Sequence, residues 1–288
     1  MPNIKYPSLF NAADKLSLKA QKRFLRLTGL HSFLLILGTA MAINIIPNKG
    51  YSLMMAIVFI LALGLSVYLG LMKLEKAWYN GRAVAESVKT ATWRYCMRAA
   101  PFVDARSIQQ PNAEFRNMLE SILRSNHDLG GQLSEAEDTS EQISNEMKSI
   151  RELSLEARVN YYLEFRIDEQ RSWYAKKAKE NKTKHTIWFG LLVTFQLLAV
   201  MCVLARIAYP DWKFWPTDTF VVIAACAVSW MQIKKFTELA AAYSLTAQEI
   251  GIIKGRSENI QCEESLSSFV NHAEVAFSRE HTQWSARQ

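Results

Sequence analysis

The apolar residues of this chain are gathered into four runs that contain no Lys, Arg, Asp or Glu: residues 30–46, 51–72, 187–205 and 219–233. A helix rises about 1.5 Å per residue and the hydrocarbon core of a bilayer is about 30 Å thick, so ~20 such residues cross it. The second and third runs meet that length outright. The first and last, at 17 and 15 residues, need interfacial residues to complete them, and Trp212, Phe214 and Trp215 supply an aromatic belt ahead of the last. A buried core helix or a re-entrant segment is the other reading of a short run. Ala40-Met41-Ala42 has the small-residue character of a signal-peptide cleavage site. The basic stretch before it is nearly 30 residues long and a second run follows after only "PNKG", so the first run reads as a span. Turns holding Pro47 and Pro210 join the runs in pairs, and the pattern predicts four transmembrane helices arranged as two hairpins.

Outside the runs the periodicity is that of amphipathic helix. One helix is predicted from about residue 73 to residue 99, stopped by Pro101, and a second carries Phe115, Met118, Leu119, Ile122 and Leu123 on one side until "NHDLGG" ends it. Residues 134–146 turn acidic and small and read as a linker, where Thr139 with Gln142 could form a capping box. No Pro or Gly then occurs between Ser144 and Gly190, which predicts one unbroken helix projecting from the membrane as a stalk. After the fourth run Phe236, Leu239, Ala240, Tyr243 and Ala247 share a side, a break is expected at Gly251 or Gly255, and Leu266, Phe269, Val270, Ala273 and Phe277 mark a final amphipathic helix. The layout of basic approach, span, proline turn, span and polar helix occurs twice. The fold class is all-α: a polytopic membrane protein with four transmembrane helices and long cytoplasmic helical stalks.

Charge sets the expected orientation. Sixteen Lys and Arg flank the outer ends of the two hairpins, against Lys49, Arg206 and Lys213 in the two turns, so both termini and the long middle segment are predicted cytoplasmic. The formal net charge of +7 suits anionic lipid or a phosphate ligand. Four isolated cysteines and five scattered histidines assemble no metal site and no nucleophile, so no cofactor and no catalytic role is expected.

Two sets of residues remain as candidates for function. Trp78, Arg82, Glu86, Lys89 and Trp93 recur at helical spacing, and Arg94, Arg98 and Arg106 follow with Tyr95. One reading is an interhelical network, with Arg82 and Lys89 pairing to acids such as Glu164, Asp168 or Glu169 and the tryptophans filling gaps. The other is a ligand site for a nucleotide or oligonucleotide, with Arg82, Lys89, Arg94, Arg98 and Arg106 on phosphates and Trp93 stacked on a base. Helix continuity from the second span would carry a signal from this segment to the membrane, with Gly81 as its soft point. Within the spans, Asn44, Thr194, Gln196 and Ser229 are costly in hydrocarbon unless they bond another helix or line a pore. Four spans do not comfortably enclose a conducting path. A channel reading therefore needs a homo-oligomer with the pore on its axis, a tetramer being favoured.

The block "WYNGRAVAESVKTATWRYCMRAAPF", residues 78–102, resembles the pattern after the second span in SLATT domains, and "ARVNYYLEFRIDEQRSWYAKKAKENKTKHTIWF", residues 157–189, resembles the approach helix of another branch of that superfamily. The resemblance implies a tandem arrangement: a first two-span unit over residues 1–104, a cytoplasmic amphipathic helix and acidic linker over 105–143, and a second two-span unit over 144–288. It further implies a membrane effector of a bacterial anti-phage defence system in the inner membrane, forming a pore gated by a nucleotide-type signal from a nucleotidyltransferase partner. A membrane-anchored scaffold recruiting a partner through its stalks, and a small-solute exporter, are the other classes compatible with the residues.

Overall fold

The computed structural model describes residues 4–43, 48–104, 109–126 and 141–285, so Asn44 and Arg106 lie outside the described residues. Every element among these is helical: α1 (Ser8–Met41), α2 (Lys49–Met72), α3 (Leu74–Cys96), α4 (Gln109–Ser125), α5 (Asn145–Arg151), α6 (Leu155–Tyr162) running into a π-helical segment (Leu163–Asp168), α7 (Glu169–Ala208), α8 (Thr217–Lys234), α9 (Phe236–Gly255), a 3₁₀ turn (Arg256–Asn259) and α10 (Glu263–Ser285). Four helical stretches are long and apolar enough to cross a membrane. The chain divides into two compact units. A helical bundle takes Met1–Gln21, Glu75–Lys177 and Ala242–Gln288, and a unit of hairpins takes Lys22–Leu74 and Ala178–Ala241.

The bundle holds the hydrophobic core. On α3, Gly81, Val84, Ala85, Val88, Ala91, Thr92, Tyr95 and Cys96 are buried, a helical stripe one residue out of step with the Arg82, Glu86 and Lys89 positions. Gly81 is no soft point. A Cβ there would meet the Ala13 carbonyl oxygen and Ser17 at 3.2 Å, and Ser17 Oγ donates to the Trp78 carbonyl at 3.0 Å, so the glycine lets α1 and α3 cross closely. Tyr95, Phe102 and Phe115 form a mutual ring cluster at 5.0 to 6.1 Å. The last helix inserts Leu266, Phe269, Val270, Ala273 and Phe277 into the same core, as its periodicity predicts.

Two expectations about helix continuity are overturned. The helix expected to run unbroken from Ser144 stops at Arg151 and restarts at Leu155. Ser154 is extended at φ −60° and ψ 161°, and its side chain accepts from the Ala157 N–H, so a serine cap ends the run without Pro or Gly. Past Tyr162 the helix widens to π geometry, and buried positions recur five apart, Tyr161 to Arg166 and Tyr162 to Ile167. Continuity from α2 into α3 also fails. Lys73 sits between them in the left-handed region at φ 43°, and Lys235 does the same between α8 and α9 at φ 46°. Both exits from a hairpin thus end on a left-handed lysine.

In the hairpin unit the buried positions are mostly small: Ala62, Ala199, Ala224 and Ala227, which lets membrane helices approach where no hydrophobic effect drives them together. His31 Nε2 and Ser66 Oγ, 2.8 Å apart, tie α1 to α2. Trp188 packs on Trp230 and Phe195 on Phe220 between α7 and α8. Large apolar residues such as Leu53, Ile60, Leu71, Leu197 and Met201 point outward, where lipid covers them.

A non-glycine residue in the left-handed region costs about 1 kcal/mol. Lys73 is exposed. Lys73→Gly is therefore expected to raise the melting temperature of the detergent-solubilised chain, whereas Lys73→Ala should leave it level or lower. A drop with glycine would show that the lysine side chain outweighs the strain.

Candidate functional site

The centre of the bundle is a carboxylate with every acceptor position used. Glu274, fully buried on α10, accepts from Arg166 Nε at 2.8 Å and Arg166 Nη2 at 2.6 Å in a two-pronged pair. The Tyr162 hydroxyl adds a bond at 2.9 Å and the Thr90 hydroxyl one at 3.0 Å. The Arg166 guanidinium also lies 5.8 Å from the centre of the Trp93 ring and 4.5 Å from that of Phe277, within cation–π range. Burial alone would lower the pKa of Arg166, but the Glu274 charge and its hydrogen bonds outweigh that and hold it above the ordinary value. Burial, followed by the same negative charge, pushes the Tyr162 hydroxyl well above 10.0.

A second arrangement closes the end of α3. The Ala99 N–H bonds the Arg94 carbonyl at 2.9 Å and the Arg98 N–H bonds the Tyr95 carbonyl at 3.2 Å, with Arg98 left-handed at φ 53°. This is a Schellman cap with arginine where glycine is usual. Two fully buried arginines finish the job: Arg151 donates to the carbonyls of Tyr95 and Phe102 and to Asp104, and Arg158 donates to the Met97 carbonyl at 3.0 Å and to Glu263. Cations here face the negative end of the helix dipole. Arg98 reaches outward from the cap, donating through Nε to the Arg151 carbonyl at 2.8 Å and to Asp104 at 3.1 Å, with Glu263 at 3.9 Å.

Beside Arg98 opens a cleft of about 580 Å³, lined by Val103 and Asp104 on one wall and by the polar face of α10, including Glu264, Ser267, Asn271 and His272, on the other. No Phe, Tyr or Trp is among its lining residues, and the His272 imidazole is the one ring there.

The predicted ligand residues are dispersed. Arg82 pairs with Glu86 at 2.7 Å and Asp14 at 3.9 Å, while Asp168 takes Lys254. Trp93 is 3 % exposed, donates to the Tyr6 hydroxyl at 3.1 Å and packs on Tyr161 and Tyr162. Arg94 is half-buried, with its Nε enclosed and without a partner among the described residues. Of the set, Arg98 lines the cleft. Among the span candidates, Thr194 and Gln196 lie two residues apart on α7 and so on different sides of it, and Ser229 sits on α8 beside Trp230. All three are exposed, and among the described residues their side chains make no hydrogen bond. Among the described residues, too, no three His, Cys, Asp or Glu are grouped as a metal requires.

Sequence reasoning passed over Arg151, Arg158, Arg166 and Glu274. A signal was there. Each stands at a core-facing position of an otherwise apolar stripe, as Glu274 does between Ala273 and Phe277.

Together these features define an all-α membrane protein whose helical bundle is organised by buried charge and accompanied by two membrane hairpins. A family model for the SMODS and SLOG-associating 2TM effector domain 3 matches residues 7–159, and one for effector domain 1 of the same series matches residues 162–284. The chain belongs to the SLATT family, with two of its domains in tandem. No curated protein and no solved structure matches it.

Removing one member of a buried ion pair leaves the other uncompensated, at a cost of about 3–5 kcal/mol. Glu274→Leu, like Arg166→Met, should therefore destabilise the bundle severely, and the Arg166→Met, Glu274→Leu double variant should recover part of the loss. Melting of the four proteins of this cycle measures the coupling, and additive losses would show the pair to be independent.

Lys89 is half-buried beside the same network and makes no ion pair among the described residues. Burial first, then the Arg166 charge, holds its pKa below 10.5. The folded chain thus binds fewer protons here than the unfolded chain between the two pKa values, and this contribution to stability rises with pH across that window. Lys89→Met should raise the melting temperature near neutral pH and flatten the gain in stability as pH approaches 10.5. An unchanged pH profile in the variant would assign the effect elsewhere.

Proposed function

We propose that the chain is a membrane effector of a bacterial defence system, whose hairpins conduct as a homo-oligomer in the inner membrane and whose bundle reads a nucleotide signal on the cytoplasmic side. The family description supports the effector role. The observation that carries conduction is Gln196. It stands at the middle of the charge-free run 187–205, exposed on the outside of α7, with no hydrogen bond among the described residues. An unsatisfied amide in hydrocarbon costs several kcal/mol, on the order of 2–7, so it belongs against another copy of the chain or a water-filled path. The role is non-catalytic and needs no cofactor.

The signal is assigned to the cleft at Arg98. A phosphate entering there meets the Arg98 guanidinium and competes with Asp104 and Glu263 for it. Hydroxyl, amide and carboxylate groups on α10 suit the polar edges of a base or ribose. With His272 as its one ring, the cleft offers a single stacking surface and fits a mono- or cyclic nucleotide better than a single strand stacked over successive bases.

The full chain, reconstituted in liposomes holding a potassium gradient, should release ions in response to one member of a panel of cyclic mono-, di- and trinucleotides. Gln196→Leu should abolish release while leaving nucleotide binding intact. Arg98→Gly removes the guanidinium without backbone strain and should abolish the nucleotide response. Absence of flux under every nucleotide would overturn the channel reading, and an unaltered response in Arg98→Gly would remove the signal from this cleft.

A further inference from the structure

The hairpin of α7 and α8 fixes its own register. Trp188 and Trp230 have ring centres 5.8 Å apart, and Phe195 and Phe220 have theirs 5.9 Å apart. Moving away from the Pro210–Pro216 turn therefore means falling numbers on α7 and rising numbers on α8. One helical turn past the tryptophans, about 6 Å along the axis, this register brings Lys184 level with Lys234. Each lysine is four residues from its tryptophan, on the same face of its own helix.

The electrostatics of this pair are unbalanced. The charge that acts on half-buried Lys234 is Lys184, a second cation, and among the described residues neither lysine makes an ion pair. The next carboxylates along the two helices, Glu180 and Glu238, lie another turn out. Two adjacent ammonium groups in a medium of reduced dielectric repel, and an anion placed between them removes the penalty. In the first hairpin, by contrast, Arg23 near the open end is engaged by the Tyr68 hydroxyl and ring.

The vertical order of groups indicates the source of the anion. The aromatic pair lies at the edge of the apolar run and the ammonium pair one turn further out, the order in which a phospholipid presents ester carbonyls and then phosphate. The indole N–H groups of Trp188 and Trp230 have no acceptor among the described residues, which leaves them available to those carbonyls. We infer that Lys184, Lys234, Trp188 and Trp230 form a phosphate site at the open end of the second hairpin, occupied by the headgroup of an anionic phospholipid.

The test uses the full chain in neutral detergent micelles, titrated with phosphatidylglycerol or phosphatidylcholine and read by melting temperature. Phosphatidylglycerol is expected to stabilise the parent chain where phosphatidylcholine does not. In Lys184→Gln, Lys234→Gln its half-saturating concentration should rise on the order of tenfold or more. Lys184→Arg, Lys234→Arg should keep the effect, which separates lost charge from lost folding. Lys179→Gln, Lys182→Gln removes equal charge from the same helix and should also keep it. Equal loss in that control pair, or no response of the parent to phosphatidylglycerol, would overturn the site. Stabilisation of the parent by inorganic phosphate alone, abolished in Lys184→Gln, Lys234→Gln, would support the same phosphate chemistry with a free ion as its source.

Discussion

Arg166, Tyr162 and Thr90 converge on the Glu274 carboxylate from two stretches of chain far from it in sequence. Taking a guanidinium and a carboxylate out of water costs several kcal/mol for each ion, and the pair is tolerated only where geometry and further hydrogen bonds are nearly complete. That demand explains the π-helical segment. A regular α-helix would carry its buried face forward by three or four residues, but Tyr161, Tyr162, Arg166 and Ile167 are buried in steps of five. The widened turn places an aromatic pair and then the arginine on one side, where Trp93 and Phe277 supply the remaining walls.

Arg151 and Arg158 apply the same physics to backbone. The final turn of a helix leaves carbonyls without partners, and here the end of α3 is buried beneath α5 and α6, away from water. Guanidiniums reach those carbonyls, and each sends a further bond through Nη2 to a carboxylate, Arg151 to Asp104 and Arg158 to Glu263. The left-handed Arg98 belongs to this arrangement, since its side chain bonds the Arg151 carbonyl. Glycine would relieve the backbone but would lose the link between the α3 cap and α5. The cleft is therefore walled by groups whose first duty is to finish a helix, and a ligand that draws Arg98 or Glu263 away acts directly on the cap.

The membrane pattern was legible because charge-free runs have few alternatives, and the final amphipathic helix because Leu266 through Phe277 keep strict helical spacing. The site was legible only in outline. Arg82, Lys89 and Trp93 share a helical stripe, but spacing cannot tell a solvated face from the edge of a core, and Trp93 turned inward once Tyr6 offered its hydroxyl. The break before Leu155 was missed because a serine cap is weaker punctuation than Pro or Gly. Lys73 and Lys235 carry no sequence mark of left-handed backbone at all. The buried arginines were passed over because a cation is read as surface by default, a rule that fails when carbonyls and carboxylates wait in the interior.

The two units satisfy their polar groups by different means. In the bundle the large buried charges are bonded within the chain, and in the hairpins His31 finds Ser66 while Thr39 bonds carbonyls of its own helix. Thr194, Gln196 and Ser229 stand apart, facing outward with the apolar residues around them. Threonine and serine can turn back to a helix carbonyl at little cost, but a glutamine amide has four hydrogen-bonding positions to fill and a long reach away from its own backbone. Hydrocarbon fills none of them. Ala199, three residues on, is buried, whereas Gln196 faces outward, where the single chain gives its amide no hydrogen bond among the described residues.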